Sequence, residues 1–227
     1  MSGDQRSQLP GRPARTREPQ VVLTDSEILQ RGLDAFAEMG YRGASVRELA
    51  KRLGVSHNFI NDRFGSKENF WRVVIDFAME GMAREINTVF EADLDDGEVF
   101  RRAVVEFYSF AAKSPQANRI MSEESAADSG RLDYIFSNYT SQFLARLWPV
   151  AERLMDAGRV PRIPLAVLFT AVSGPALALT HSPMTQRLGG PVNPTAEEVE
   201  CWARSLAEVV LQGLLPAGPH RAPHAAE

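Results

Sequence analysis

The 227-residue chain is poor in the residues that thiol and metal chemistry require. Its single cysteine, Cys201, excludes an internal disulfide. The four histidines stand at positions 57, 181, 220 and 224, without the spacing of a metal site, and the sequence has no glycine-rich phosphate loop. These absences disfavour an enzyme, and we predict that the chain needs no metal and no cofactor.

The sequence also lacks long apolar runs. No stretch reaches the roughly 18 consecutive apolar residues of a membrane helix, and no signal-peptide pattern is evident. The least polar segment, residues 163–180, is interrupted by Pro164, Gly174 and Pro175, which favours a buried helix. We therefore expect a cytoplasmic protein without membrane contact.

Charge is distributed unevenly along the chain. The net charge of -4 combines +2 in residues 1–23, 0 in residues 24–68 and -6 in residues 69–227. Within residues 42–67, six basic side chains outnumber two acidic ones. Because local positive potential governs phosphate binding more than total charge does, the acidic average does not exclude a nucleic acid partner.

Residues 45–67 carry the pattern of two short helices joined by a tight turn. An apolar stripe at i, i+3, i+4 and i+7 predicts the first helix, and Ser45 is placed to cap it. Gly54 is suited to the left-handed conformation that ends a helix. Ser56 can cap a second helix, in which Ile60 and Phe64 face the core. The stripe consists of Val46, Leu49, Ala50 and Leu53.

A third helix precedes this pair. Thr24 or Asp25 can cap it, and Gly40 can end it. Its apolar residues recur at helical spacing, so the three helices can share one small core. These residues are Ile28, Leu29, Leu33, Phe36 and Ala37.

These residues together resemble the DNA-binding domain of the TetR family of transcriptional regulators. The resemblance covers residues 28 to about 86, and the chain departs from it at Asn61 and Arg63, where the family usually has aromatic residues or His. Both side chains can still reach phosphate oxygens. The matched positions are Ile28-Leu29, Ala35-Phe36, Gly40-Tyr41, Ser45-Val46-Arg47, Leu49-Ala50, Gly54-Val55-Ser56, Ile60, Phe64 and Ser66-Lys67-Glu68.

The rest of the chain reads as helices, so the predicted fold class is all-α. It comprises a three-helix DNA-binding domain followed by a six-helix domain for ligand binding and dimerisation. Predicted helices span residues 67–90, 97–113, 116–125, 131–156 with a kink at Pro149, 165–181 and 195–215, and residues 182–194 form a loop. The predicted domains are a disordered basic arm at 1–23, a helix-turn-helix domain at 24–68, a helical domain at 69–216 and a flexible tail at 217–227. The arm can enter a minor groove or remain a solvated tail.

Side chains on the outer face of the helix pair are the predicted DNA contacts. Arg47 can pair with guanine, Asn58 with adenine, and Phe59 can pack on a thymine methyl group, with His57 also near base edges. Phe59 can instead be core, Arg47 a solvated charge and His57 a local hydrogen-bond partner. Residues predicted to hold phosphates or lie beside them are Ser45, Val46, Asn61, Arg63 and Lys67.

The resemblance implies a small-molecule site in the C-terminal domain. The candidate residues are mostly apolar, which favours a hydrophobic or amphipathic effector, although such a stripe is also typical of plain core. Candidate wall residues are Phe77, Phe107, Tyr108, Met121, Phe136, Tyr139, Phe143 and Leu168, with Glu123 and His181 as polar anchors.

The resemblance also implies a homodimer formed by the last two long helices. Their apolar surface exceeds what one domain needs, and paired recognition helices fit a palindromic operator in double-stranded DNA. Candidate interface residues are Phe169, Val172, Leu177, Val199, Trp202, Leu206, Val209 and Val210. The predicted function is thus a ligand-responsive repressor. The alternatives are an architectural DNA-binding protein and, less favoured, an enzyme with a DNA-binding module.

Overall fold

The computed structural model describes residues 23–179, 182–190 and 192–215, and every regular element in these ranges is helical. This confirms the all-α fold class. Residues 1–22 of the predicted basic arm, the whole predicted tail and His181 lie outside the described residues. The helices are α1 (Asp25–Gly43), α2 (Val46–Leu53), α3 (Phe59–Phe64), α4 (Lys67–Glu91), α5 (Asp96–Lys113), α6 (Pro115–Ser125), α7 (Gly130–Ile135), a π-helical turn (Phe136–Thr140), α8 (Ser141–Asp156), α9 (Leu165–Ala178), α10 (Ser182–Arg187) and α11 (Ala196–Leu214).

Local sequence signals start and stop several helices as predicted. Thr24 and Thr195 form capping boxes at the starts of α1 and α11, and Ser45 accepts the Glu48 N–H at the start of α2. Gly54 ends α2 with φ at 73°. Gly40, with φ at 65°, bends α1 where the sequence predicted its end.

Ser56 does not cap the second helix of the pair. Its carbonyl accepts the Phe59 N–H at 3.1 Å, and α3 begins only at Phe59. Asn58 stands at the N-cap without a side-chain cap bond. A turn over residues 57–58 therefore replaces the predicted first helical residues, and α3 has only six residues.

Two longer segments also differ from the prediction. Residues 131–156 form α7, the π-helical turn and α8 in succession, so the break in regular helix lies at Phe136–Thr140, and Pro149 lies inside α8. Residues 182–194 were predicted to be a loop but include the short helix α10. A six-residue helix is too short to show a clear periodicity in the sequence.

Two apolar cores are stacked along α4. Phe70, Trp71 and Val74 of this helix are fully buried in the core around α1, which also takes in residues of α6 and α7. Val89, near the other end of α4, belongs to the core of α5, α8, α9 and α11. The helix thus links the helix-turn-helix end to the C-terminal helices, and the domain boundary at residue 68 remains a prediction. In the described part of the chain, no helix has the length and apolar character to cross a membrane.

Candidate DNA-binding surface and ligand cavity

Buried side chains hold α2 and α3 at an angle to each other. Leu49, Leu53 and Ile60 are fully buried between the two helices and α1. Arg31 of α1 donates from Nη1 to the Leu53 carbonyl at 3.0 Å, which satisfies a carbonyl at the end of α2. The Val55 N–H bonds the Ala50 carbonyl at 3.0 Å and closes the corner. The geometry of this pair is therefore set by the core.

Polar side chains on the outer face of this pair remain exposed. Arg47, His57, Asn58 and Asn61 are all exposed, and among the described residues none of these side chains has a hydrogen bond or ion pair. They project from the first turn of α2 and from the start of α3, the parts of a helix-turn-helix that reach base edges. Their assignment as DNA contacts remains a prediction, and the structure leaves them free to make such contacts.

Other predicted contacts already have partners within the chain. Ser45 Oγ accepts the Glu48 N–H at 3.1 Å, and Val46 is half-buried against the core. Arg63 forms an ion pair with Asp25 at 2.6 Å, and its guanidinium lies 5.8 Å from the Phe59 ring centroid. These side chains can touch DNA only by exchanging or extending their present contacts.

Phe59 is half-buried and packs edge-on to Phe64, with ring centroids 6.2 Å apart. Of the two roles expected from the sequence, the coordinates support packing. Contact with a thymine methyl group stays a prediction.

Lys67 has an internal role that the sequence did not indicate. Its Nζ donates to the Tyr41 carbonyl at 3.0 Å and lies 4.0 Å from the Tyr41 ring centroid. Arg131 stands 4.1 Å from the same ring and pairs with the buried Glu124 at 2.7 Å. Burial, and secondly the charge of Arg131, lower the pKa of Lys67. The Tyr41 ring thus lies between two cations and ties α1 to α4 and α7.

A cavity of about 250 Å³ lies among α4, α5, α6, the π-helical turn, α8 and α9. Five of the predicted wall residues line it. These are Phe107, Met121, Tyr139, Phe143 and Leu168. Wall residues that the sequence analysis did not single out for this role include Met79, Met82, Asn118, Trp148 and Ser173.

Four other predicted ligand-binding residues, three of them wall residues and one the polar anchor Glu123, do not line the cavity. Phe77 and Glu123 stand two positions from the lining residues Met79 and Met121, which places them on a different helix face. Glu123 is exposed and pairs with Arg119 at 3.4 Å. Phe136 is 52% exposed.

Tyr108 is the fourth. It is buried, and its hydroxyl donates to the Val172 carbonyl at 2.9 Å. Burial raises the pKa of Tyr108 to about 12. The residue therefore packs α5 against α9 behind the cavity.

The predicted interface residues divide between two environments. Val172 and Leu177 line the cavity, and Val172 is buried within the single chain, so their place in a dimer interface stays a prediction. Phe169 lines the cavity as well but is 39% exposed. Val209 is 67% exposed. Half-buried residues on α11 that remain candidates are Val199, Trp202, Leu206 and Val210.

Comparisons with known proteins agree with this architecture. Residues 28–72 match the family model of bacterial regulatory proteins of the tetR family. The transcriptional activator FasR of Mycolicibacterium smegmatis is 25% identical over 111 residues, which cover 49% of this chain and 48% of FasR. The repressor AcnR of Corynebacterium efficiens is 41% identical over 73 residues, covering 32% and 37% of the two chains. The matches to these two curated relatives thus span less than half of either relative.

The crystal structure of PfmR, a TetR family regulator from Thermus thermophilus, is similar over most of its length. The match has a TM-score of 0.60 at 22% identity and covers 86% of this chain and 98% of PfmR. At this identity the likeness establishes the fold. Together, the helix-turn-helix match over residues 28–72 and the shared architecture support a regulator of the TetR family.

Proposed function

We propose that the protein is a ligand-responsive regulator of transcription, a homodimeric repressor that a small hydrophobic or amphipathic effector releases from a palindromic operator. One observation carries the proposal. α4 starts beside the helix pair, where Lys67 bonds Tyr41, and supplies Met79 and Met82 to the cavity wall about three to four turns later. A single helix therefore touches both candidate sites.

Sequence preference would come from the exposed side chains of α2 and α3. Arg47 is suited to bidentate pairing with guanine, and Asn58 to adenine. His57 lies beside Asn58 and can add a contact to a base or a phosphate. Asn61 and Arg63 would hold the backbone and so fix the register without specifying sequence.

A dimer would hold the α3 helices of its two protomers at a fixed spacing. Because α3 alone contacts only a few base pairs, specific binding needs two half-sites about one helical turn apart. Two valines offer apolar surface for this pairing: Val167 of α9 is 50% exposed and Val209 of α11 is 67% exposed. A bundle of these two helices from each chain is the arrangement that we propose.

Release would follow from differential affinity. A ligand that binds the cavity more tightly when α4 is displaced shifts the population towards that state, by no more than the difference in binding free energy. Displacement of α4 would move α3 relative to the α3 helix of the other protomer, so that the two α3 helices no longer fit successive major grooves. A ligand that binds equally tightly whether or not α4 is displaced would not release the DNA.

Footprinting on the DNA upstream of the protein's own gene tests the DNA-binding part. A short protected palindrome supports the regulator, whereas diffuse protection at any sequence supports an architectural DNA-binding protein. A thermal-shift screen of lipophilic metabolites, followed by release of the footprinted fragment, tests the ligand part. Because FasR is described as an activator and AcnR as a repressor, a transcriptional reporter with and without the protein tests the sign of regulation.

A further inference from the structure

The cavity wall carries no charge among the described residues. Its lining consists of apolar and aromatic side chains with a few amide and hydroxyl groups, and no Lys, Arg, His, Asp or Glu takes part. Burying an ionised ligand in such surroundings costs several kcal/mol, unless a counter-charge or several hydrogen bonds offset it. The lining therefore selects against ionised ligands.

Asn118 of α6 presents a hydrogen-bond acceptor to this space. The residue is 5% exposed, and its Nδ2 donates to the Ala176 carbonyl of α9 at 2.8 Å. Since a carbonyl only accepts, this bond fixes which way the amide is turned. Oδ1 then has no hydrogen-bond partner among the described residues. An unpaired acceptor on the wall of a cavity favours a ligand that brings a donor.

Ser173 adds a second polar group on the same wall. It is 8% exposed, lines the cavity and stands three residues before Ala176, which places it on the same face of α9 as the carbonyl that binds Asn118. Within the described part of the chain its hydroxyl makes no hydrogen bond. A serine hydroxyl can both donate and accept, so it can bind a ligand hydroxyl from the other side.

A negative charge lies next to the wall. Tyr139 lines the cavity, and its hydroxyl donates to the Asp76 carboxylate. A carboxylate behind the wall repels an anion in the cavity and does not repel a neutral molecule. It adds to the cost that burial alone imposes on an anionic head group.

We propose that the cavity binds an uncharged, largely apolar molecule bearing one hydroxyl or N–H donor, which bonds to Asn118 Oδ1 with Ser173 as its second partner. The proposal rests on the proposed function in one respect only, because it takes this cavity to be the effector site. It narrows the effector from any hydrophobic or amphipathic compound to a neutral hydrogen-bond donor. Ionised fatty acids and other lipophilic anions are excluded as tight ligands.

Two probes that differ only in their head group test the proposal. Decanol and decanoate have the same chain length, and decanoate is ionised at about pH 8, far above the pKa of a carboxyl group. Each is titrated into the full chain without DNA and followed by calorimetry and by tryptophan fluorescence, to which Trp148 on the cavity wall contributes. We expect decanol to bind at least about tenfold more tightly, a modest fraction of the cost of burying an unpaired charge. Equal or tighter binding of decanoate, or no binding of decanol up to its solubility limit, would overturn the proposal.

Variants locate the binding site. Asn118→Leu and Ser173→Ala should each weaken decanol binding by roughly threefold to tenfold, the range for one neutral hydrogen bond. Gln142→Leu, at an exposed position of α8, is the control and should leave the affinity unchanged. Circular dichroism shows whether Asn118→Leu is folded, and Ser173→Ala provides the test if it is not. Unchanged decanol affinity in the folded variants would contradict the assignment.

Release of operator DNA is measured separately. If decanol binds through Asn118 and DNA binding is unaffected, the ligand chemistry of the cavity stands and its role as effector site fails. If decanoate binds more tightly and releases DNA, the proposed function stands and the neutral-ligand inference fails.

Discussion

The Tyr139 hydroxyl, on the cavity wall, donates a hydrogen bond to Oδ1 of Asp76 on α4. Tyr134 donates to the same oxygen at 2.7 Å. These tyrosines are five residues apart, and on a regular α-helix they would point about 140° apart. The π-helical turn, whose hydrogen bonds span five residues, brings both onto one carboxylate. The cavity is thereby joined to α4 by a hydrogen bond as well as by packing.

This arrangement predicts different consequences for two equivalent substitutions. Tyr139→Phe and Tyr134→Phe each remove one hydrogen bond to a charged acceptor, so each should lower the free energy of unfolding by about 1 to 3 kcal/mol. Only Tyr139 lines the cavity, so only Tyr139→Phe should change the affinity for decanol or another apolar probe by more than about twofold. Urea unfolding and probe titrations measure the two effects. Equal changes of probe affinity in both variants would contradict a link through Tyr139.

The four tyrosines predict loss of stability in alkali. Burial is the largest cause that raises the pKa of each of the four tyrosines. It raises the pKa of Tyr108 and of Tyr134 to about 12. Below pH 10, the ordinary value, all are neutral whether the chain is folded or unfolded, and their contribution to stability is complete. As the pH rises from 10 towards 12 the unfolded chain ionises first, so the free energy of unfolding should fall.

The phenolate absorbance of native protein, compared with protein in urea, measures this difference. The native curve should lie on the alkaline side of the unfolded one. A native step near pH 10 would show that at least one of these hydroxyls is solvated.

Local signals made the helix-turn-helix end predictable. The stripe from Leu49 to Leu53, the Ser45 cap and the left-handed Gly54 depend on neighbours within one or two turns. The predicted start of α3 was wrong. The backbone carbonyl of Ser56 accepts a hydrogen bond in a turn, and the residue type does not determine whether serine forms such a turn or caps a helix. The bond of Lys67 to the Tyr41 carbonyl could not be predicted from local signals, because it joins residues 26 positions apart, and the phosphate role of Lys67 stays a prediction.

The cavity was predictable only in part. Hydrophobic periodicity indicates which residues are buried, but it does not distinguish a cavity wall from a filled core. Tyr108, for example, lies in the filled core. The π-helical turn changes the helical phase after residue 135, so Phe136 is exposed where an uninterrupted helix predicted a wall. Asn118, a lone amide between Ala117 and Ile120 on an apolar face, was a usable signal that sequence reasoning passed over.

DNA reading should depend on Arg47 in a sequence-specific way. Arg47→Ala should lower operator affinity by about 1 to 3 kcal/mol and relax preference at one base pair, as expected for loss of a bidentate base contact. Lys67→Ala should weaken all sequences alike and reduce the slope of affinity against salt by about one unit. Because Lys67 also bonds the Tyr41 carbonyl, its removal should lower the melting temperature too.

Gel shifts on operator and scrambled DNA at several salt concentrations measure these effects. Lys113→Ala, at the exposed end of α5, is the control for loss of one positive charge. Unchanged affinity in both Arg47→Ala and Lys67→Ala would refute the contact assignment.

Dimerisation should be sensitive to Val209. Its side chain is 67% exposed on α11. Val209→Asp should therefore leave the folded monomer stable but place a carboxylate in the proposed apolar interface, at a cost of several kcal/mol. Light scattering should show a monomer, and tight binding to a palindrome should be lost. Val73→Asp, at a valine of α4 that is 37% exposed, is the matched control and should remain dimeric. A Val209→Asp variant that still forms dimers would place the interface elsewhere.

The contact between α1 and α4 should tolerate no added methyl group at Gly32. A Cβ there would lie 2.6 Å from Phe70 Cζ and 2.9 Å from a Val74 methyl carbon, and both side chains are fully buried. In an open helix, Gly→Ala stabilises by about 0.5 to 1 kcal/mol. At Gly32 overpacking should reverse the sign and cost about 1 to 3 kcal/mol. Gly81→Ala is the matched control, because no atom beyond its chain neighbours and the adjacent helix backbone lies within 4 Å of the added Cβ, and it should raise the melting temperature. Residues of α4 form the core contact with α1 at the helix-turn-helix end. A Gly32→Ala variant as stable as the parent chain would show that α1 and α4 can move apart without loss of stability. The proposed coupling of the cavity to the helix-turn-helix end through α4 would then have no structural basis.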